Sequence, residues 1–215
     1  METYPSQRLE MDSSRGFTMI EVLVAILVLT VGLVALSSLA TATLSGTESA
    51  RFAGLAANLA SEKLEDLNRW PYWDPNVYVA SGSTAGSLTS DAQTTVTSQG
   101  VTETVNYYDN VYISDSNTSA SVQTGAITET VLGLVNGAET YTTLSHNPNG
   151  MLSQTQSTSP PAAIPNAIAF HRRWVIEMDQ PVTGVKRLTV LVTLTNQFVK
   201  PPVSYQMSMV RTASP

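Results

Sequence analysis

A long stretch without charge near the N-terminus limits how this chain can fold more than any other feature. No Asp, Glu, Lys or Arg occurs from Val22 to Thr47, and the stretch begins VLVAILVLTVGLVALSSLA. About 20 apolar residues in a helix span the hydrocarbon core of a bilayer. Lipid offers no partner for an unpaired backbone N–H or C=O, so such a segment must be helical. The stretch therefore predicts a transmembrane helix.

Two other interpretations of this stretch fit less well. A buried core helix would be shorter and less uniformly apolar. A secretory signal peptide would have a shorter apolar core, followed by a cleavage site of small residues. Here residues 1–16 form a polar leader with basic and acidic side chains, and the apolar run continues into an amphipathic helix. We therefore expect the helix to be retained in the mature protein.

Glu21 lies at the mouth of the apolar stretch. A carboxylate at the edge of a membrane segment is costly, and by default it indicates a functional site whose partner should be named. The apolar run contains no Lys or Arg that could be that partner. A new α-amino group, made by cutting the chain just before the run, could pair with Glu21.

The residues around Glu21 resemble a known processing signal. Residues 14–23, SRGFTMIEVL, are similar to the prepilin motif of type IV pilins and type II secretion pseudopilins. In that motif a polar leader ends in a basic residue and Gly, followed by Phe, a small polar residue, two apolar residues and Glu. Arg15 is the basic residue of the leader here.

The resemblance implies that a membrane prepilin peptidase removes residues 1–16 by cutting between Gly16 and Phe17 on the cytoplasmic side. The same enzyme would methylate the amine of Phe17, and Glu21 would neutralise the amine of a neighbouring subunit during filament assembly. Pairing these charges lowers the desolvation penalty that each carries alone and specifies axial register. The implied partners are prepilin peptidase, other pilins or pseudopilins, and inner-membrane lipid before assembly.

The resemblance also implies a location. The chain would cross the bacterial inner membrane once, with a cytoplasmic leader and an exported head, and would reach a pilus or the cell surface after assembly.

The pattern becomes amphipathic after the apolar stretch. Apolar residues from Phe52 to Leu67 recur at spacings of three and four, and Lys63 falls on the same face. Pro71 disfavours helical geometry at the residue before it, so we expect the helix to end near Arg69.

These patterns divide the chain into segments. We expect a transmembrane, filament-core helix over residues 17–44 and an amphipathic half of the same helix over 45–69. Residues 70–215 would form a globular, β-rich head. The expected fold class is α+β and pilin-like, with the long helix packed on an antiparallel sheet.

The middle of the head is less regular. Residues 78–165 are rich in Thr, Ser, Gly, Asn and Ala. We interpret them as a solvent-exposed insertion with loose strands and a turn at Asn147–Gly150. The β-like segments are Thr94–Thr97, Val101–Tyr108, Val111–Ser114, Ile127–Val135 and Glu139–Leu144.

The last part of the chain has the clearest strand pattern. Phe170–Met178, Lys186–Asn196 and Val203–Val210 alternate apolar and other residues, which predicts an antiparallel meander with one face on the helix. An Arg-x-Trp-x-Ile run after an aromatic residue, then a Lys-Arg-Leu-x-Val-x-Val strand, resembles the C-terminal sheet of minor pilins of the pilus-modification class. Many pilins close a C-terminal loop with a cysteine pair. This chain has no Cys, so packing or a bound ion would have to hold the head.

The sequence has no pattern typical of catalysis or metal binding. His146 and His171 lack metal-ligand spacing, and we interpret His171 as a strand-surface residue. The net charge of −6 gives no basic patch for nucleic acid. We therefore expect no enzymatic activity, no cofactor, no metal and no nucleic-acid binding. Oxygen-bearing side chains that could bind calcium, but that turn formation explains better, are Asp109, Asn110, Asp115 and Asn117.

Some weaker patterns have simple explanations. A formal glycosylation sequon begins at Asn117, in a Ser- and Thr-rich stretch where such a sequence arises easily by chance. Trp70, Tyr72 and Trp73 are expected to pack the end of the helix onto the head.

The function that these features favour is that of a minor type IV pilin, which joins, primes or modifies a pilus. A minor pseudopilin of a type II secretion system is the alternative in the same superfamily. A membrane-tethered enzyme or binding protein, or a major pilin, fits less well. No catalytic pattern supports a membrane-tethered enzyme. The long irregular middle of the head suits the dense helical packing of a major pilin poorly.

Overall fold

The computed structural model describes residues 16–114, 124–135, 138–159, 167–195 and 202–212. Two units are distinguished, one up to Thr47 and the other from Glu48 onward. A single helix, α1, covers Met19–Arg69 and contributes to both.

In the first unit, α1 is apolar on all sides. Its most apolar 18-residue window has a mean hydropathy of 2.8, and none of that window is buried. By length and composition the helix can cross a membrane.

In the second unit, α1 buries one stripe and ends at Arg69, as the sequence predicts. The residues from Ala56 to Leu67 that face the core recur at spacings of three and four, so they lie on one side of the helix. Phe52 and Leu55 pack partly against the same core. The buried residues of the stripe are Ala56, Leu59, Ala60, Lys63, Leu64 and Leu67.

The described strands are antiparallel throughout. One sheet has the order β10-β9-β8-β4-β5-β6-β7, with β1 also paired to β8, and β2 and β3 form a separate hairpin. The strands are β1 Thr84–Gly86, β2 Gln93–Ser98, β3 Val101–Asn106, β4 Tyr108–Ser114, β5 Ile127–Val135, β6 Ala138–His146, β7 Leu152–Ser157, β8 Ala167–Met178, β9 Val185–Leu194 and β10 Ser204–Thr212.

The predicted C-terminal meander is confirmed. Strands β8, β9 and β10 are consecutive neighbours, with Trp174 opposite Val190 and Tyr205 opposite Val192. The inward residues of these strands form one core with the helix stripe. This arrangement confirms the α+β, pilin-like fold of a long helix packed on an antiparallel sheet. The inward apolar residues of these strands with relative exposure of 5% or less are Phe170, Trp174, Ile176, Leu188, Val190, Val192 and Leu194, and Val203 just before β10 is 6% exposed.

The β-like segments predicted within residues 78–165 coincide with strands β2 to β6, but in the part that the structure describes these strands are regularly paired and not loose. Strand β4 pairs with β8 over its whole length, and β5, β6 and β7 extend the same sheet. The strand pattern is weaker here because Thr and Ser occupy positions that Val or Leu fill elsewhere. Thr128 and Ser145, for example, are both buried and share a hydrogen bond of 2.9 Å across β5 and β6.

Gly86 allows the close approach of β1 to β8. Its φ of +84° is unfavourable for other residues, and a Cβ would collide with the backbone oxygen of Trp174. We expect Gly86→Ala to lower the free energy of unfolding by about 2–4 kcal/mol. Gly100 is the matched control, because its φ is +79° but a Cβ there would meet nothing within 4 Å. Gly100→Ala should cost only about 1 kcal/mol.

Urea unfolding of the full chain in detergent, followed by Trp fluorescence, would compare the two variants. Equal losses would contradict the steric argument at Gly86.

Candidate functional site

The bond between Gly16 and Phe17 lies just before the helix begins. Residues 16–18 are non-helical, and α1 starts at Met19. Thr18 is the cap of this terminus: its carbonyl oxygen accepts from the N–H of Glu21 at 3.1 Å and of Val22 at 3.2 Å. The Thr18 hydroxyl also accepts from the Glu21 N–H, at 3.3 Å. The predicted cleavage site is thus exposed and lies outside the helix.

Glu21 lies in the first turn of α1. Its carboxylate is exposed and has no hydrogen-bond or ion-pair partner among the residues that the structure describes. At about 1.5 Å per residue, Glu21 lies roughly one helical turn from Phe17. The structure therefore places Gly16, Phe17 and Glu21 together at one end of the helix. Arg15 lies outside the described residues.

Polar side chains in the apolar part of α1 are satisfied within the helix. The Thr30 hydroxyl donates to the carbonyl of Leu27 at 2.8 Å, and the Ser37 hydroxyl donates to that of Leu33 at 2.9 Å. Ser38, Thr41, Thr43, Ser45 and Thr47 make the same kind of bond. Glu21 is consequently the single polar group of residues 19–47 that needs a partner from outside the helix.

A buried ion cluster connects the helix to the sheet. Arg172 on β8 lies directly opposite Asp109 on β4, and its Nε and Nη2 donate to the two carboxylate oxygens at 2.7 Å each. Arg172 Nη2 also lies 3.2 Å from Glu129 Oε1, and Lys63 Nζ of α1 lies 3.5 Å from Asp109 Oδ2. Burial alone would raise the pKa of Asp109, but Arg172 and Lys63 hold it below its ordinary value.

Lys186 of β9 forms a second polar contact, with the loop that follows the helix. Its Nζ donates to the carbonyls of Tyr72 at 2.6 Å and Val77 at 2.8 Å, and lies 3.7 Å from the centre of the Tyr72 ring. This bond fixes the loop after the helix onto β9. Tyr72 packs as the sequence predicts, but Trp70 and Trp73 remain 40% and 53% exposed.

Burial lowers the pKa of Lys186 from 10.5 to about 8, with a further contribution from Arg211. The folded protein therefore binds this proton less tightly than the unfolded chain. We expect the stability that Lys186 contributes to rise as the pH increases from about 8 toward 10.5 and to be lowest below that window.

Lys186→Met keeps the length of the side chain and removes the titrating group. If Lys186 titrates at about 8, the free energy of unfolding of the wild type should rise relative to that of this variant between pH 8 and pH 10. A difference independent of pH over this window would contradict a lowered pKa.

His171 has partners on the other face of β8. Its Nδ1 lies 2.7 Å from Asn110 Oδ1 and its Nε2 lies 2.8 Å from Asp91 Oδ1, which also accepts from Arg173 Nε at 2.8 Å. Partial burial would raise the pKa of Asp91, but the hydrogen bonds from His171 and Arg173 outweigh it and lower the pKa. The contacts of His171 and Arg173 with Asp91 join β8 to the segment before β2.

The suggestion that Asp109 and Asn110 serve a turn is wrong, because both lie within β4. Asp115 and Asn117, with the sequon, lie outside the described residues. Among the residues that are described, no group of three or more His, Asp or Glu side chains is arranged to hold a metal ion.

Sequence reasoning missed the buried charges. The register could have shown two of them, since Arg172 is in phase with Trp174 and Ile176, and Lys186 is in phase with Leu188. Lys63 falls on the predicted apolar face of the helix. That position indicates a buried ammonium group, which needs an anionic partner.

The comparisons with known proteins address the N-terminus. A family model described as the prokaryotic N-terminal methylation motif matches residues 11–37. No curated protein and no solved structure gives a significant match. The match covers the last six residues of the predicted leader, the predicted cleavage site, Glu21 and the start of the apolar helix. It confirms that the chain is type IV prepilin-like.

Proposed function

We propose that this type IV prepilin-like chain is a minor type IV pilin, a low-copy subunit that joins, primes or modifies a pilus. Prepilin peptidase removes residues 1–16 and methylates the amine of Phe17. The apolar half of α1 then anchors the subunit in the inner membrane, with the head exported. On assembly, this half of the helix packs among other pilins.

The observation that carries the proposal is the unpaired carboxylate of Glu21. It stands beside the new N-terminus, in a helix that has no other charge up to Thr47 and that satisfies its own hydroxyl groups. An amine on Phe17 and a carboxylate on Glu21 are both costly in lipid. Because the two groups lie about one turn apart, a neighbour shifted along the filament axis could pair its amine with this carboxylate.

The methylation motif is common to pilins and pseudopilins, so the filament system needs a direct test. We expect the mature protein in sheared, purified pili as a small fraction of the main subunit. We also expect deletion of its gene to reduce the number of pili.

Quantitative mass spectrometry of the pili, with electron microscopy of the deletion strain, would measure both quantities. Normal pili together with a block in protein secretion would instead assign the chain to a type II secretion system. A chain that dominates the pilus mass would be a major pilin.

A further inference from the structure

Strand β10 lies at one edge of the large sheet, and among the described residues it has a neighbouring strand on one side only. It covers Ser204–Thr212 and pairs with β9 at all nine positions, without a bulge. The N–H of Leu194 donates to the carbonyl of its register partner Val203 at 2.9 Å, which fixes the phase of the hydrogen bonds. Every second residue from Tyr205 onward therefore directs its N–H and C=O at β9, and the residues between them direct theirs away from the sheet.

The outward backbone groups of β10 have no partner in the part of the chain that the structure describes. The residues that carry them are all exposed. Natural sheets protect such an edge with a Lys, a Pro, a bulge or a very short strand. Strand β10 has none of these, and Arg211 is its one charged residue, so the edge is open to a further strand. The residues with outward N–H and C=O groups are Ser204, Gln206, Ser208, Val210 and Thr212.

The opposite edge of the sheet, β7, lacks the apolar surface that lies beside β10. On the helix side of β10, Tyr205, Met207 and Met209 pack against the core but are only half-buried. No residue of β7 belongs to that core, and five of its six residues are exposed. A strand added to β10 would bury the rest of this apolar row as well as form backbone hydrogen bonds. Strand β10 is therefore the edge better suited to a partner.

Arg211 adds a positive charge near the end of this edge. Its Nη1 donates to the carbonyl of Leu67 at 3.5 Å, and no carboxylate lies within 4.0 Å of its guanidinium group among the described residues. Its register partner is Lys186, so two cations lie side by side, and burial together with the charge of Arg211 lowers the pKa of Lys186. An acidic side chain on an added strand would complement this charge.

We propose that β10 is a docking edge for an extended segment of a partner polypeptide, which pairs with it in the antiparallel direction. The segment carries an acidic residue opposite Arg211. It carries apolar residues opposite Met209, Met207 and Tyr205, and its backbone completes the outward hydrogen bonds of β10. A second copy of β10 would offer the same backbone groups but no carboxylate, since Ser204–Thr212 contains no Asp or Glu. This interaction goes beyond the proposed function and does not depend on the filament system.

The test uses the full chain in nanodiscs of zwitterionic lipid, so that a charged probe does not adsorb to the membrane. The probe is a fluorescein-labelled peptide as long as β10, with Asp opposite Arg211, Val at the three apolar positions and Thr elsewhere. Its Val amides are N-methylated, which leaves it only the Thr edge that faces β10. A control peptide is N-methylated at its Thr amides as well and cannot donate to β10. Fluorescence anisotropy measures the binding of both peptides.

The matched variants are Gln206→Pro and Gln154→Pro, which each remove an N–H that points away from the sheet, one on β10 and one on β7. We expect Gln206→Pro to weaken binding of the probe about tenfold or more and Gln154→Pro to leave it unchanged. Gln206→Ala keeps the N–H and should bind as the wild type does. Arg211→Gln should weaken binding about two- to fivefold.

Several outcomes would overturn the proposal. These are no binding of the probe, equal binding of the control peptide, equal effects of Gln206→Pro and Gln154→Pro, or unchanged binding in Arg211→Gln. Urea unfolding followed by Trp fluorescence shows whether each variant is folded. If Gln206→Pro does not fold, the two peptides and Arg211→Gln decide the question. Self-association of the chain that Gln206→Pro abolishes would assign the edge to a second copy and would also overturn the proposal.

Discussion

Replacing Glu21 with alanine is expected to remove the protein from filaments and to leave its insertion into the membrane intact. The carboxylate is the only anionic partner that the first turns of α1 offer to the amine of a neighbouring Phe17. Removing one member of a desolvated ion pair costs about 3–5 kcal/mol, because the other charge is left without compensation. Such a loss corresponds to roughly a hundredfold or more in the equilibrium for incorporation.

Glu48→Ala is the control for this experiment, because Glu48 is an exposed glutamate of the same helix beyond the apolar stretch. Both variants should be cleaved by the peptidase and appear in the membrane fraction in equal amounts. Immunoblots of sheared filaments and of membranes would measure the ratio. Wild-type levels of Glu21→Ala in filaments would show that the carboxylate has no role in assembly.

The second large effect is expected from Arg172→Met in the head. The methionine has no charge to offer Asp109, which is 3% exposed and would keep only Lys63 at 3.5 Å. Breaking a buried pair by removing one partner lowers the free energy of unfolding by about 3–5 kcal/mol. Because Arg172 also contacts Glu129, the loss would loosen β5 against β8 as well.

The neighbouring residue provides the comparison. Arg173 carries the same side chain on the opposite face of β8 and pairs with Asp91, whose side chain is 44% exposed. Arg173→Met should therefore cost less than about 1 kcal/mol. Chemical unfolding of the two variants would separate a buried ion pair from an exposed one, and similar losses would refute the role given to Arg172.

The same cluster predicts how acid acts on the head. The folded-state pKa of Asp109 lies below its ordinary value, so its contribution to stability is present above the unfolded-state pKa and is lost as the pH falls through the folded-state value. Replacing Asp109 would remove this part of the acid sensitivity.

The parts of the fold that the sequence predicts are those in which hydrophobic periodicity is strong. The apolar run and the stripe from Phe52 to Leu67 predict α1 to its last residue, and strict alternation predicts β8, β9 and β10. Strands β1 and β7 were not predicted. Both are short and rich in Ser, Thr, Gln or Gly, and they depend on their neighbours in the sheet rather than on their own propensity.

The polar residues singled out in the structure likewise include some that the sequence predicts and some that it does not. Gly16, Phe17 and Glu21 are recognisable because they occupy the positions of a short motif, and the match to the methylation motif covers all three. The ion cluster of Lys63, Asp109 and Arg172 depends on the pairing of β4 with β8. This pairing brings together residues that lie up to 109 positions apart in the chain. The phase of Lys63 and Arg172 with their apolar neighbours indicates that both are buried, but pairing between strands so far apart, and so the partner of each charge, cannot be read from local pattern.

The central claim is that the working form of the protein begins at Phe17, with its amine available to the Glu21 of another subunit. The intact mass and N-terminal sequence of the protein recovered from its assembled state test this claim most directly. We predict loss of residues 1–16 and a methylated amine on Phe17. Recovery of the assembled protein with its leader still attached would contradict the account, because the amine that Glu21 needs would never form.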